Sequence, residues 1–413
     1  MRLSWVVRVV LAVVLVGASA GCGAAATPTA APVTESAATG EVYKIGFLAS
    51  VTGAAATLGE PERNVAVMIQ EQLNASGGIV GPDGTVHPVE IIIQDTQGSP
   101  DVAVTLIKKL IDDEGVLAIV GPTTSGASMA VVPIAQEARV PLVSMASSSA
   151  IVEPVAERAW VFKTAASNEH TAPLQVEYAR AKGITRIANL YVNNAYGEDG
   201  AIAIREAAAA AGVEIVYEDT FEEADTDITS QITKVRASQA EAVLVTAIPP
   251  AAAVFTRQYR ELGVELPLIH NHGIGMPAFV SLAGPENAEG VVFPMSKLVA
   301  YESLPDDDPQ KPVIAQFVAD YRASTKQEPS SFAGHAWDGL NIVIEALKRL
   351  PEGLSLAEQR ARLRDEIEAT KDFVGIDGVF NFTPEDHVGL SANDMVLIRI
   401  VDGEWQYFPR DQW

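Results

Sequence analysis

Apolar residues are distributed along this chain in two distinct textures. Residues 9–18 (VVLAVVLVGA) form one unbroken run, with Arg2 and Arg8 before or beside it and the small residues Ser19-Ala20-Gly21 after it. From Tyr43 onward, short apolar runs alternate with stretches whose apolar positions recur at helical spacing. The short runs predict strands at 43–49, 88–95, 116–120, 140–144, 186–192, 213–218, 241–247, 266–269 and 289–293. The amphipathic stretches predict helices at 60–75, 99–113, 125–138, 168–182, 198–211, 227–238, 250–262, 311–325, 332–349 and 355–369. The strand runs are continuously apolar rather than alternating, which is the pattern of strands buried on both faces. Strand–helix alternation of this kind argues for parallel sheets covered by helices. Gly183, Gly212 and Gly263 each stand between a helix and the next strand, where a left-handed helix stop is expected.

The rhythm breaks near the end. Residues 378–382 and 394–409 read as strands with no helix between them, and Asp402-Gly403 reads as a hairpin turn between 396–401 and 404–408. The acidic segment 303–310 reads as a solvated loop, because consecutive acids have no fixed geometry around one ion. Two halves of βα texture, 44–163 and 164–288, are thus followed by a helical block and a strand pair. The expected fold is α/β, with two doubly wound parallel-sheet lobes. Ligands of open parallel sheets sit beyond the strand carboxyl ends, so two facing sheets would enclose a cleft there.

The first apolar run changes where the protein is expected to work. Its basic start, apolar centre and small-residue end have the layout of a secretory signal. The run is shorter than the ~20 residues of a membrane span. Cys22 follows at once and is the only cysteine, so no intrachain disulfide can form. A small triplet before a cysteine resembles a bacterial lipoprotein signal, in which Cys22 is lipidated and becomes the first residue, although Ser19 stands where leucine is commoner. Plain secretion with cleavage near Ala20 is the other reading. Residues 1–21 are then a lipoprotein signal peptide, and 22–42 a lipid anchor and flexible linker, rich in Ala, Thr and Pro.

The formal net charge is −24, and loss of Arg2 and Arg8 makes it −26. That charge disfavours nucleic acid and anionic lipid surfaces as partners. It leaves an anionic ligand possible where local donors hold it. The chain has no GxxxxGK[ST] loop, no GxSxG elbow, no HExxH and no CxxC. His270 and His272 flank Asn271 and are expected to point to opposite sides, so no metal site and no cofactor is expected. Hydroxyls and glycines cluster at strand ends instead: Ser50 to Gly53, Gly121 to Gly126, Met145 to Ser149 and Asn193 to Gly197. Helix N-termini at such places offer unpaired N–H donors and a positive dipole end. Each serine there could equally be a helix cap.

The blocks IGFLASVTGAAATLG, NASGGI, QD at 94–95, AIVGPTTSGASMAVVPIAQEARVPLVS, YGEDG and FAGHAWDGLNIVIEAL together resemble the branched-chain (hydrophobic) amino-acid-binding family of type I periplasmic solute-binding proteins. The resemblance covers most of 42–409. It implies two lobes joined by three hinge crossovers that close on a small solute and present it to an ABC permease, with no enzymatic step. It places lobe 1 at 43–163 plus 295–380 and lobe 2 at 165–292 plus 384–413, with crossovers near Phe162–Thr164, Phe293–Pro294 and Asn381–Thr383. Carried over by position, the resemblance assigns the solute carboxylate to Ser125, the backbone of Ala146, and Ser148. Tyr196 supplies the second-lobe ring. Three positions depart from the family pattern: Leu58 replaces an aromatic, Ile248 a tyrosine, and His272 the acid that neutralises an α-ammonium.

Histidine is a poor partner for an ammonium, and desolvating an ammonium without a carboxylate costs several kcal/mol. The expected solute therefore carries a carboxylate and lacks an α-amino group. His272 could instead lie in a loop outside the cleft, or a one-residue slip could bring in His270 or Asn271. Tyr196 could be a half-buried ring closing a strand end. His335 and Trp337 read as helix positions packed on the sheet, without a role. The expected protein is a lipid-anchored, extracytoplasmic solute receptor of an ABC importer. The alternative is a receptor of the same fold that signals to a membrane partner. If Cys22 carries the lipid, incorporation of labelled palmitate is expected in the wild type and absent in Cys22→Ser; equal labelling of both would exclude that anchor.

Overall fold

The computed structural model describes residues 40–413. The leader, Cys22 and the linker up to residue 39 lie outside the described residues. The chain first forms β1 (Tyr43–Ala49), α1 (Ala56–Ser76), a small ribbon of β2 (Ile79–Val80) and β3 (Val86–His87), and β4 (Val89–Asp95). α2 (Pro100–Asp112), β5 (Ala118–Val120), α3 (Ser125–Ala138), β6 (Leu142–Ser144) and β7 (Val161–Lys163) complete the first run. A second run follows: α4 (Asn168–Ala181), β8 (Arg186–Val192), α5 (Ala195–Ala211), β9 (Glu214–Phe221), α6 (Thr229–Ala237) and β10 (Ala242–Thr246). It ends with α7 (Ala251–Glu261), β11 (Leu268–His270), α8 (Pro277–Ala283), α9 (Pro285–Ala288) and β12 (Val292–Ser296). Last come α10 (Gln310–Thr325), α11 (Ser331–Leu347), α12 (Leu356–Glu368), a ribbon of β13 (Phe373–Val374) and β14 (Val379–Phe380), β15 (Met395–Val401) and β16 (Glu404–Tyr407).

Two sheets organise these elements. The first has the order β4-β1-β5-β6-β7, and every recorded pairing in it is parallel. The second has the order β16-β15-β12-β11-β10-β8-β9; it is parallel from β9 to β12 and antiparallel beyond. Over five strands, both sheets therefore share the doubly wound order 2-1-3-4-5, which reverses direction beside the first strand of each set. The strands β5, β6, β7, β10 and β11 are buried at every residue, in keeping with their largely apolar sequences. Two doubly wound lobes joined by three crossovers result.

One close approach recurs in both lobes. A Cβ on Gly59, in the first turn of α1, would meet the Ser50 carbonyl oxygen at 2.3 Å; one on Gly197, in the first turn of α5, would meet that of Val192 at 1.9 Å. Each glycine lets the helix that follows its lobe's first strand sit directly against the end of that strand.

The chain leaves the first sheet after β7, and the third segment returns α11 and α12 to the first lobe. Arg360 Nε donates to the Val116 carbonyl at 3.0 Å, and Arg364 Nε to that of Ala159 at 2.7 Å. The second crossing departs from expectation. Phe293 and Pro294 do not leave the second lobe, because β12 runs on to Ser296 and pairs there with Met395 of β15. β12 pairs with β11 only at Val292, so Pro294 stands where one flank has no ladder to interrupt. β7, α8, α9 and the β2–β3 ribbon were also not anticipated from the sequence. α5 begins at Ala195 rather than 198, because Asn194 Oδ1 accepts from the amides of Tyr196 and Gly197, each at 3.1 Å.

Candidate solute-binding site

The carboxyl ends of both sheets open onto one cavity of about 170 Å³. One water needs about 10–15 Å³ on such a measure, so the space suits a small organic molecule. The strand ends supply its wall in sequence: Thr123 to Gly126 after β5, Met145 to Ser147 after β6, Asn194 and Tyr196 after β8, Glu223 after β9, Ile248 after β10, and His272 and Gly273 after β11. Leu58 of α1 and Phe332 and His335 of α11 close it. Leu58, Ser125, Ala146, Tyr196, Ile248 and His272, named from the sequence, all line this cavity; Ser148 does not.

The first-lobe donors are distributed differently from expectation. Thr124, not Ser125, is the N-cap of α3, leaving Ser125 and Gly126 in the first turn, where their amides have no intrahelical acceptor. The Ala146 amide is already engaged with Ser144 Oγ at 3.2 Å. The Ser148 amide donates to Ser125 Oγ at 3.2 Å, and its hydroxyl donates to Asp199 Oδ1 at 2.9 Å. Ser148 therefore serves contact between the lobes, while the amides of Ser125 and Gly126, in the first turn of α3, point no hydrogen into the helix and line the cavity.

Asp199 is the centre of that contact. Placed on α5 of the second lobe, its Oδ1 also accepts from the Ser149 amide at 3.0 Å, and its Oδ2 from Asn168 Nδ2 at 2.7 Å. Asn168 Oδ1 accepts from Asn271 Nδ2 at 2.9 Å. Asn271 Oδ1 accepts from the His272 amide at 2.7 Å and from His272 Nδ1 at 2.5 Å. That bond leaves His272 Nε2 as the acceptor for Ser147 Oγ, 2.7 Å away in the first lobe. Lys163, at the end of β7, donates to the carbonyls of Ser147 and Ser148 at 2.6 and 3.3 Å and to Ser167 Oγ at 2.9 Å. The loop 147–149 is thus gripped from three sides.

The ring of His272 is spent on the protein itself. Burial, then the charges of His335, Lys163 and His170, push it down to about 3, so it is neutral at physiological pH. The chain Ser147–His272–Asn271 has the outline of a nucleophile, a base and an orienting amide. A base held so low withdraws a proton weakly, and the arrangement serves as a hydrogen bond between lobes. Tyr196 has its hydroxyl raised far above the usual range by burial, and its oxygen accepts from the Gly273 amide at 3.1 Å. Its ring meets His272 edge-on at 6.0 Å.

His270 and His272 do diverge, but not for the reason expected. Residues two apart in a continuing strand share a face. The strand ends at His270, whose Nε2 lies 2.9 Å from Thr256 Oγ1 within the second lobe, and the backbone turns before His272. Among the described residues no cluster of three or more His, Cys, Asp and Glu side chains could hold a metal, and no helix is long and apolar enough to cross a membrane.

Sequence reasoning passed over several groups here. Glu223 is the one acid among the cavity's lining residues. His335 faces the cavity, with Nδ1 2.5 Å from Asp377 Oδ2. Lys163 was the detectable one, since a lysine ending an apolar run at 161–163 is anomalous in a buried strand. Burial pushes its ammonium down to about 7 against the upward pull of Asp199 and Glu169, whereas the unfolded value is 10.5. Between those values the unfolded chain binds the extra proton, so this residue's contribution to stability rises with pH across that window. Urea unfolding at about pH 6.5 and about pH 9 is expected to shift the difference between wild type and Lys163→Met toward the wild type at the higher pH. A difference independent of pH would contradict a buried, low-pKa lysine.

The periplasmic binding protein family matches residues 42–404. The leucine-, isoleucine-, valine-, threonine- and alanine-binding protein of Pseudomonas aeruginosa is 25% identical over 317 residues, covering 76% of this chain and 79% of that protein. An extracellular ligand-binding receptor from Rhodopseudomonas palustris HaA2 superposes with a TM-score of 0.81 at 28% identity, over 89% of this chain and 99% of that one. The branched-chain amino acid transporter substrate-binding protein LivJ from Streptococcus pneumoniae, in complex with isoleucine, superposes with a TM-score of 0.75 at 25% identity, over 88% and 98%. This chain belongs to the periplasmic binding protein family, and it is a solute-binding protein rather than an enzyme.

Proposed function

We propose that this protein captures a small organic acid lacking an α-amino group, closes its lobes on it by hinge motion, and presents it to the membrane subunits of an ABC importer from a lipid anchor at Cys22. One observation carries the choice of solute: both ring nitrogens of His272 are bonded within the protein, at 2.5 and 2.7 Å, so that residue has no acceptor left for an ammonium. The amides of Ser125 and Gly126 and the Ser125 hydroxyl are donors suited to a carboxylate. Leu58, Met145, Ile248 and Phe332 favour an apolar tail. A relative named for binding amino acids and a structural neighbour named as the substrate-binding protein of an amino acid transporter support the transport role.

A second reading rests on Glu223. Its residue lines the cavity, and among the described residues its carboxylate accepts only a 3.5 Å contact from Asn194 Nδ2, which suits it to neutralise the ammonium of an amino acid such as those named for the relatives. Calorimetric titration separates the two. We expect 4-methylpentanoate to bind and leucine to bind at least about tenfold more weakly, as an unpaired buried charge requires. Tight leucine binding that is lost in Glu223→Gln would establish the second reading instead.

Closure gives its own outcome. Asp199→Ala removes acceptors for the Ser148 hydroxyl and the Ser149 amide across the cleft. It is expected to speed release of 4-methylpentanoate by about tenfold or more, with little change in the association rate. An unaltered release rate would refute Asp199 as a clasp between the lobes.

A further inference from the structure

Asn194 is committed at one end of its amide and open at the other. As the N-cap of α5, its Oδ1 accepts from the amides of Tyr196 and Gly197, each at 3.1 Å, so the orientation of the amide is fixed and Nδ2 is the end left over. The residue is partly buried and lines the cavity. Among the described residues the one acceptor for Nδ2 is Glu223 Oε2 at 3.5 Å, the outer limit of a hydrogen bond. An amide nitrogen carries two hydrogens, so this contact leaves it a donor short of an acceptor. Glu223, also partly buried and lining the cavity, has among the described residues no other donor to its carboxylate.

A donor and an acceptor thus stand side by side, each short of a partner. A hydroxyl answers both, because its oxygen accepts from Nδ2 while its hydrogen goes to the Glu223 carboxylate. An ammonium offers nothing for Nδ2 to donate to, and a second carboxylate meets Glu223 as a like charge. An apolar end would leave both groups unpaired.

Strand order places this pair relative to the carboxylate donors. Ser147, after β6, bonds His272, after β11, at 2.7 Å, so those two strand ends oppose one another. Counted outward from them, the first sheet gives β5, β1 and β4, and the second gives β10, β8 and β9. Gly98 and Pro100, after β4, line the same cavity as Glu223, after β9, as that opposition requires. Ser125 and Gly126 follow β5, so Asn194 stands about one strand further along and Glu223 about two, at ~4.8 Å per strand. Ile248 follows β10 and Leu58 lies in the helix after β1, so apolar lining accompanies that interval. A short aliphatic chain spans it.

We propose that Asn194 and Glu223 form a second polar subsite of the cavity, which binds a hydroxyl at the far end of the solute, so that the preferred solutes are ω-hydroxy carboxylic acids rather than unsubstituted ones. This inference rests on the organic-acid reading above. The test is calorimetric titration of the wild type, Asn194→Ser, Asn194→Asp and Glu223→Ala with hexanoate, 6-hydroxyhexanoate and 6-aminohexanoate, and of the wild type with 4-methylpentanoate. Serine and aspartate both serve as N-caps, so the start of α5 is kept while the amide hydrogens are lost. The readout is the ratio of hydroxy-acid to hexanoate affinity within each protein, which general loosening of the cleft does not move. In the wild type the hydroxy acid is expected to bind about tenfold or more tightly, the worth of a hydrogen-bond pair that includes a charged acceptor. The ratio is expected to fall by about threefold or more in Asn194→Ser and in Glu223→Ala. Asn194→Asp is expected to lower it as well, and carries the test if the serine variant does not fold. Equal affinities in the wild type, or an undiminished ratio in Asn194→Ser, would overturn the subsite while leaving the organic-acid reading intact. So would failure of hexanoate and 6-hydroxyhexanoate to bind while 4-methylpentanoate binds. Tighter binding of 6-aminohexanoate than of 6-hydroxyhexanoate would overturn the hydroxyl assignment and give Glu223 to a cation. Failure of all three acids without an amino group would overturn the organic-acid reading, and this inference with it.

Discussion

Parallel pairing is the constraint from which the rest of this molecule follows. Every strand from β4 to β7 in the first sheet, and from β9 to β12 in the second, delivers its chain to the same side of its sheet. Strand ends and helix starts therefore crowd together, and their backbone groups have no ladder or helix to satisfy them. Two such edges face one another here. Hydroxyls, asparagines and free amides accumulate because a buried backbone must find partners, and the cavity is the space those partners leave.

That crowding explains why the interface between the lobes is polar although the body of each lobe is apolar. Asp199, Asn168 and Asn271 pass hydrogen bonds from one side to the other, while Lys163 secures the loop 147–149 from beneath. Hydrogen bonds to charged groups in a dry site are strong, but each also carries a desolvation cost. A contact of this kind forms and breaks with only modest net free energy, as an interface that must open and close requires. His272, bonded to the neutral groups of Ser147 and Asn271, is held uncharged by burial.

Much of the architecture was legible because hydrophobic patterning and buried parallel strands are closely linked. β1 and β8 fall on 43–49 and 186–192 as read, and the hairpin at Asp402-Gly403 has both residues at positive φ, 54° and 79°. Elements governed by tertiary partners were not. β7 is three residues long and ends in a lysine that a buried network accommodates. β12 continues through Pro294 because a neighbouring strand stops short.

The candidate site divides along the same line. Sequence alone determined which strand ends would border the cavity, since the order of apolar runs places loops such as 121–126 and 145–149 at carboxyl ends whatever packs around them. It could not determine what those loops do once opposed. Whether Ser148 meets a solute or Asp199 depends on a residue 51 positions away in the other lobe, and the aim of His335 depends on Asp377, 42 positions on. Local pattern records the period of burial along one element; partnership between charged and polar groups across a cleft is a property of distances that only the folded chain creates.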